Sequence, residues 1–338
     1  MNKKVEHGQF YTVGNCFKHA AFKEWWGLVP EKSRLKVIEP FAGANNIIRL
    51  VDEAGINIPH SSWFSYDIEP TAMGDNVVED VPVRKADTLN KFPKGYKVAI
   101  TNPPYLAKNS AKRKKIDFDF EGMSDMFEVS LKRMLDNVDY IAAIIPESFI
   151  TRNILKERLW AVISLNYDMF DDTDFPVCLA LFVPTPTKNK YAVYVGDKKL
   201  GTYEKLEAAK NKLFKNNSSI KFKFNDKKGL IGLRGVDNTK KASIEFIDGK
   251  KINPDDIKVS SRAITRISPP KKLSKTQIAT IIVEANKILA DYRKTTGDVF
   301  MTSFKGLRDD GYYRRRLDFK IVNTILNKAA DNLNIDLT

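Results

Sequence analysis

Thr101-Asn102-Pro103-Pro104-Tyr105 follows directly on the apolar run Val98-Ala99-Ile100, itself preceded by Phe92-Pro93-Lys94-Gly95. The pattern is that of a short buried strand stopped abruptly by a polar amide and a rigid loop tipped with an aromatic ring. Consecutive prolines fix φ and remove two backbone donors, so the loop is extended and pre-shaped. Asn102 offers a carbonyl oxygen and an NH2 group, and the prolines offer carbonyls with no competing N–H. Such a loop can accept two hydrogen bonds from one flat exocyclic amine while Tyr105 stacks on its ring. A plain strand-ending turn has the same local sequence, so the surrounding chain must decide.

Upstream, the same punctuation recurs. Leu35 to Glu39 reads as a strand, followed by Pro40-Phe41-Ala42-Gly43-Ala44-Asn45-Asn46 and an apolar helix, Ile47 to Val51. Strand, small-residue turn and helix bring backbone N–H groups against a ligand at the helix start. With Gly43 alone, this is not the dinucleotide GxGxxG. Trp63 to Pro70 is a second strand ending in Asp67-Ile68-Glu69, at the distance where a carboxylate accepts ribose hydroxyls; solvated turn residues are the plainer alternative. Val83 to Leu89 is a third, with Asp87 and Thr88. Four successive strands thus place Glu39, Asp67, Asp87 and Asn102 just past their carboxyl ends, where open α/β sheets bind ligands. One such residue means little; four in series converge on one crevice.

Downstream, Lys108 to Gly122 carries Lys112-Arg113-Lys114-Lys115 against Asp117, Asp119 and Glu121: a solvated, mobile loop or, because it leaves from the Tyr105 tip, a lid or a backbone-contacting loop. A helix is expected near Met126 to Leu135, a central parallel strand at Tyr140 to Pro146 and a further helix near Asn153 to Leu165. Tyr167 to Phe170 and Phe175 to Val183 read as the last strands. Pro184 to Lys188 is a linker. The division expected is 1–187 and 188–338, an α/β Rossmann-like doubly wound sheet followed by an α+β domain whose hairpin starts at Tyr191.

Composition bounds the partners. The 338 residues are 43% hydrophobic and carry a net charge of +14. Residues 1–190 hold 25 basic and 25 acidic residues; residues 191–338 hold the other 31 and 17, so the whole excess is C-terminal. A step that sharp points to a module facing a polyanion, nucleic acid first. Arg262 and Arg266 among small polar residues, and Arg314 and Arg315 beside Tyr312-Tyr313, are the candidate phosphate and base contacts, with Lys112 and Arg113 in the first half. No apolar run approaches a membrane span, and the start Met1 to His7 has no apolar signal region. Cys16 and Cys178, far apart, suggest no disulfide framework and no metal site, which fits a reducing cytoplasm.

Taken together, these motifs resemble the S-adenosylmethionine-dependent DNA adenine-N6 methyltransferases in their gamma arrangement, as in restriction–modification systems: cofactor motifs first, catalytic motif next, target-recognition domain last. The resemblance covers residues 8–183 in the family's order. Gly8-Gln9-Phe10-Tyr11-Thr12 is similar to the motif beside the methionine moiety, Glu39-Pro40-Phe41-Ala42-Gly43 to the glycine turn, and Asp67-Ile68 to the ribose-binding motif. Asp87-Thr88 corresponds to the motif near the cofactor's adenine, and Asn102-Pro103-Pro104-Tyr105 to the catalytic motif. Phe175 falls where the family places a second aromatic against a flipped base, with Phe170 the alternative. Asn45 stands where the family often has a second glycine, and a side chain there is expected to narrow the approach to the methionine group.

What the resemblance implies is methyl transfer from S-adenosylmethionine to N6 of an adenine flipped out of double-stranded DNA, with no metal. It implies a monomer or weak dimer in the cytoplasm of a bacterium or phage-infected cell, and leaves room for a separate cognate restriction endonuclease as partner. RNA-base and protein-glutamine methyltransferases share Asn-Pro-Pro-Tyr and are the nearest alternative. A DNA-binding module on an inactive methyltransferase fold is the alternative of a different class.

Overall fold

A computed structural model describes residues 14–70, 78–170, 173–215, 220–258 and 262–338. The chain divides after Thr202 into two units.

The first unit is built on a nine-stranded sheet. In chain order its strands are β1 (Val37–Glu39), β2 (Trp63–Asp67), β3 (Val83–Lys85), β4 (Val98–Thr101), β5 (Tyr140–Pro146), β6 (Leu159–Ser164), β7 (Val177–Phe182), β8 (Ala192–Val195) and β9 (Lys198–Thr202). In space they run β3-β2-β1-β4-β5-β7-β6-β8-β9. From β3 to β5 every neighbour is parallel, whereas β7 is antiparallel to both β5 and β6. β1, β4 and β7 are buried along their whole length, which is why they read as unbroken apolar runs. The sheet grows outward from β1 in one direction and from β4 in the other, so right-handed crossovers wind it on both faces. Between β1 and β4 lies the reversal of strand order, and the crevice beyond their carboxyl ends is where such sheets hold ligands. An aromatic helix, Ala20–Leu28, buries Phe22 and Trp25, and the Trp25 indole donates to the Phe182 carbonyl at 2.8 Å. Cys16 and Cys178 are buried free thiols.

Three expectations need correction. Tyr167 to Phe170 is not a strand of the sheet, which passes from Leu159–Ser164 to Val177–Phe182. The stretch 153–165 is not a helix: Leu159–Ser164 forms β6, paired with β7 and β8. Its buried Val162 and Ile163 are β-branched, and placed between two strands they have no helical face to hide. The hairpin expected to open the second domain instead belongs to the first sheet, because β8 pairs in parallel with β6. The boundary therefore moves from 187/188 to Thr202.

The second unit is α+β. A four-stranded antiparallel sheet, in the order β10 (Lys223–Phe224), β13 (Ile264–Ser268), β11 (Ile231–Arg234), β12 (Glu245–Asp248), accompanies a ribbon of β14 (Thr302–Leu307) and β15 (Tyr313–Arg316). Three helices, Tyr203–Leu213, Lys275–Thr296 and Phe319–Asn332, pack with it, the second started by a Ser274–Gln277 capping box. No helix among the described residues is long and apolar enough to cross a membrane.

Candidate functional site

Local sequence dictates the turn after β1. Gly43 has φ +50 and Asn45 φ +62, the left-handed region in which glycine is free and asparagine the best tolerated alternative. A Cβ on Gly43 would meet no atom within 4 Å, so the glycine serves backbone conformation and leaves space in front of it. Asp67, at the end of β2, accepts the Gly43 N–H at 2.9 Å with one carboxylate oxygen and the Glu69 N–H at 2.9 Å with the other. Backbone donors thus fix that carboxylate at the mouth of the crevice. Past β3, Asp87 accepts from the Leu89 and Asn90 amides at 3.2 and 3.1 Å, and the Thr88 hydroxyl donates to the Pro40 carbonyl at 2.9 Å. The third turn is thereby tied to the first.

Glu39 and Thr101 close β1 and β4 on either side of the reversal. The Thr101 hydroxyl and the Phe41 N–H both donate to Glu39 Oε1, and both side chains are fully buried. Oε2 has no hydrogen-bond partner among the described residues. Burial, opposed by these two hydrogen bonds, raises the Glu39 carboxyl to about 8. At neutral pH it is mostly protonated, a neutral link between the two strands.

One cavity of about 630 Å³ opens beyond these strand ends. That is the size of a small-molecule site. Of the residues read from the sequence as binding a cofactor, Phe41, Ala42, Gly43, Asp67, Ile68, Asp87, Thr88 and Asn102 line it, together with Pro104 of the proline loop. Glu39 and Pro40 lie behind the turn and support it. Phe10, Tyr11 and Thr12 fall outside the described residues. Asn45 departs from expectation: it is fully buried, does not line the cavity, and donates to the Val81 carbonyl at 2.7 Å. Its side chain turns away and leaves the approach open.

In the proline loop, Asn102 is half-buried while Pro103 and Tyr105 are buried. The Tyr105 hydroxyl lies 2.6 Å from Asn102 Oδ1 and 2.6 Å from the Ile144 carbonyl. A phenol has one proton to donate. With Ile144 as second acceptor, the hydroxyl can release Asn102 Oδ1 to another donor without losing its own partner. The Tyr105 ring sits among Phe127, Phe170 and Phe175, with centroids at 6.5, 6.2 and 6.1 Å. Phe175 is the more nearly parallel, at 31°, and partly exposed; Phe170 is buried and edge-on at 70°. The Tyr105 and Phe175 rings are tilted rather than face to face.

Lys108 to Gly122 contains a helix, Lys108–Lys114, and a cavity wall made of Ile116, Asp117, Phe118, Asp119 and Glu121. The segment thus lines the cavity as well as facing solvent. Sequence reasoning missed Arg133, which also lines the cavity, with Met126 and Val129. The signal was there: 126, 129 and 133 share one face of the helix Met126–Asn137.

The candidate nucleic-acid contacts separate into two groups. Lys112 and Arg113 are exposed on the helix 108–114, and Arg262 is exposed, with Asp318 at 4.0 Å. Arg266 donates to the Ile252 and Lys227 carbonyls, and Arg314 donates to the Asp237 carbonyl at 2.8 Å with its guanidinium over Phe304. Arg315 is buried, with Ser303 as a partner at 3.1 Å. Arg266 and Arg314 are partly exposed and spend some of their donors within their own unit, whereas Arg315 is buried in it. Arg314 and the Arg315 backbone N–H reach Asp237, which is fully buried and held well below the usual carboxylate range by Arg293 and Arg308 against the cost of its burial.

The sequence matches no protein-family model and no curated protein. Among solved structures, a type I restriction–modification methyltransferase subunit from Streptococcus thermophilus matches at 16% identity and a TM-score of 0.39, over 56% of this chain and 47% of its own. The DrdV–DNA complex matches at 14% identity and 0.39, over 60% and 28%. The M protein of the type I restriction enzyme EcoKI matches at 12% identity and 0.37, over 90% and 70%. This chain spans about half the length of the first of these. With every TM-score below 0.5, the functional reading rests on the cavity and its residues.

Proposed function

We propose that the cavity binds S-adenosylmethionine and that the chain transfers a methyl group to N6 of an adenine flipped out of duplex DNA. The observation that carries this reading is a cavity whose lining includes the turns after β1, β2 and β3 together with Asn102 and Pro104 after β4. The residues fit the cofactor: an open cradle at Gly43, oriented carboxylates at Asp67 and Asp87, and a size suited to a nucleoside derivative. Asp67 would take the ribose hydroxyls, Phe41 to Gly43 the methionine side, and Asp87-Thr88 the adenine end. When bound, the cofactor supplies an electrophilic methyl group on a sulfonium.

The rest of the chemistry belongs to the chain. An adenine amine is a poor nucleophile because its lone pair is delocalised into the ring. Asn102 Oδ1 and the Pro103 carbonyl would accept hydrogen bonds from its two N–H groups, favour a pyramidal nitrogen and aim the lone pair into the cavity. That is positioning and electrostatic work. Tyr105 and Phe175 would stack on the extruded base, and Lys112, Arg113 and Arg262 would hold phosphates.

Labelled S-adenosylmethionine offered with duplex DNA, RNA and protein side by side tests the acceptor. Label in DNA as N6-methyladenine, lost in Asn102→Ala while DNA binding persists, is expected. Label in RNA or protein alone would replace the DNA reading, and an inactive wild type that still binds DNA would favour a non-catalytic fold.

A further inference from the structure

Arg133 belongs to none of the motifs, yet it joins two walls of the cavity. Its Nε donates to the Leu89 carbonyl at 2.8 Å, and its guanidinium pairs with the Glu121 carboxylate. Leu89 sits in the turn capped by Asp87, whereas Glu121 sits in the strap 107–125. The strap's feet are pinned together. Ala107 and Asp125 form an antiparallel bridge, the Lys108 N–H donates to Ser124 at 2.9 Å, and the Met126 N–H donates to Leu106 at 3.0 Å. Between the feet the strap has its own small apolar cluster, in which Phe120 is buried with Leu106, Ala111 and Met126. Glu121 has φ +49, a conformation that strains a residue with a side chain. The Asp119 carboxylate, accepting the Glu121 N–H at 2.8 Å, and the Arg133 pair hold it there. Lys132 adds only a more distant charge, at 3.8 Å.

We infer that Arg133 is a positioning residue that latches the strap onto the Asp87–Asn90 turn and so sets how long a ligand stays in the cavity. The residence-time part rests on the S-adenosylmethionine reading above; the latch itself does not. A guanidinium fork can hold a carbonyl and a carboxylate at once, which a lysine ammonium on the same path cannot match.

Two measurements on the full chain separate the parts. Hydrogen exchange without ligand is expected to be faster over 116–121 in Arg133→Met and in Glu121→Gln than in wild type. Dissociation of S-adenosylmethionine, followed by stopped-flow, is expected to quicken about tenfold in either variant, for loss of a charged hydrogen bond. The double variant should be no faster than Arg133→Met. Arg133→Lys should recover only part of the effect. Unchanged exchange in both variants overturns the latch. Faster dissociation with unchanged exchange would make Arg133 a direct ligand contact and overturn it too. A wild type that binds no S-adenosyl compound overturns the cofactor reading and the residence-time claim, while exchange still decides the latch.

Discussion

Replacing Glu39 by Gln should flatten the pH dependence of stability in the first unit. In the fold the Glu39 carboxyl lies near 8, against an ordinary 4.5, because it is fully buried. Between those values the folded chain holds a proton that the unfolded chain has released, so stability falls as pH rises. The contribution is fully present below about 4.5 and is lost by the time the pH passes 8. At about 1.4 kcal/mol per pH unit, the whole window is worth at most about 5 kcal/mol. Glutamine keeps the Oε1 acceptor for Thr101 and Phe41 but has no proton to lose. All four tryptophans, Trp25, Trp26, Trp63 and Trp160, lie in the first unit, so their fluorescence reports its urea unfolding separately. The wild-type advantage over Glu39→Gln should shrink by about 3–5 kcal/mol between pH 5 and pH 8.5. Parallel curves for the two proteins would refute the reasoning, because they would mean that Glu39 is ionised in the fold.

Asp67→Ala removes a carboxylate that both lines the cavity and orients Gly43. It should weaken S-adenosylmethionine binding at least about tenfold by calorimetry, the range for losing a charged hydrogen bond. Lys112→Ala and Arg113→Ala should each lower the slope of log K for DNA against log salt by about 0.9 if each neutralises one phosphate. Arg315→Ala should instead lower the melting temperature of the second unit, since Arg315 is buried and bonded within it.

Much of the cavity was legible because its parts are local. The motifs at 37–46, 63–68 and 98–105 each pair an apolar run with a polar strand end, that at 83–88 pairs a charged edge strand with Asp87 and Thr88, and parallel pairing sets those ends side by side. What failed was long-range or directional. Residues 159–164 are a short apolar run, and period alone does not separate helix from strand there; pairing with β7 and β8 decides it. The hairpin 192–202 looked like a new domain because its membership depends on contact with β6. Composition counted Arg266, Arg314 and Arg315 as basic surface, but it does not say which way a guanidinium points, and these three point at their own carbonyls, ring and hydroxyl. Asn45 was read as an obstruction from its position in a motif, although its left-handed φ turns the amide toward Val81.

The most direct test of the central claim is nucleoside analysis of DNA from a methylation-free host expressing this chain. N6-methyladenine in the wild-type DNA, absent with Asn102→Ala made at equal level, is the result expected. DNA with unmodified adenine in both, from a wild-type protein that is folded and binds S-adenosylmethionine, would contradict it.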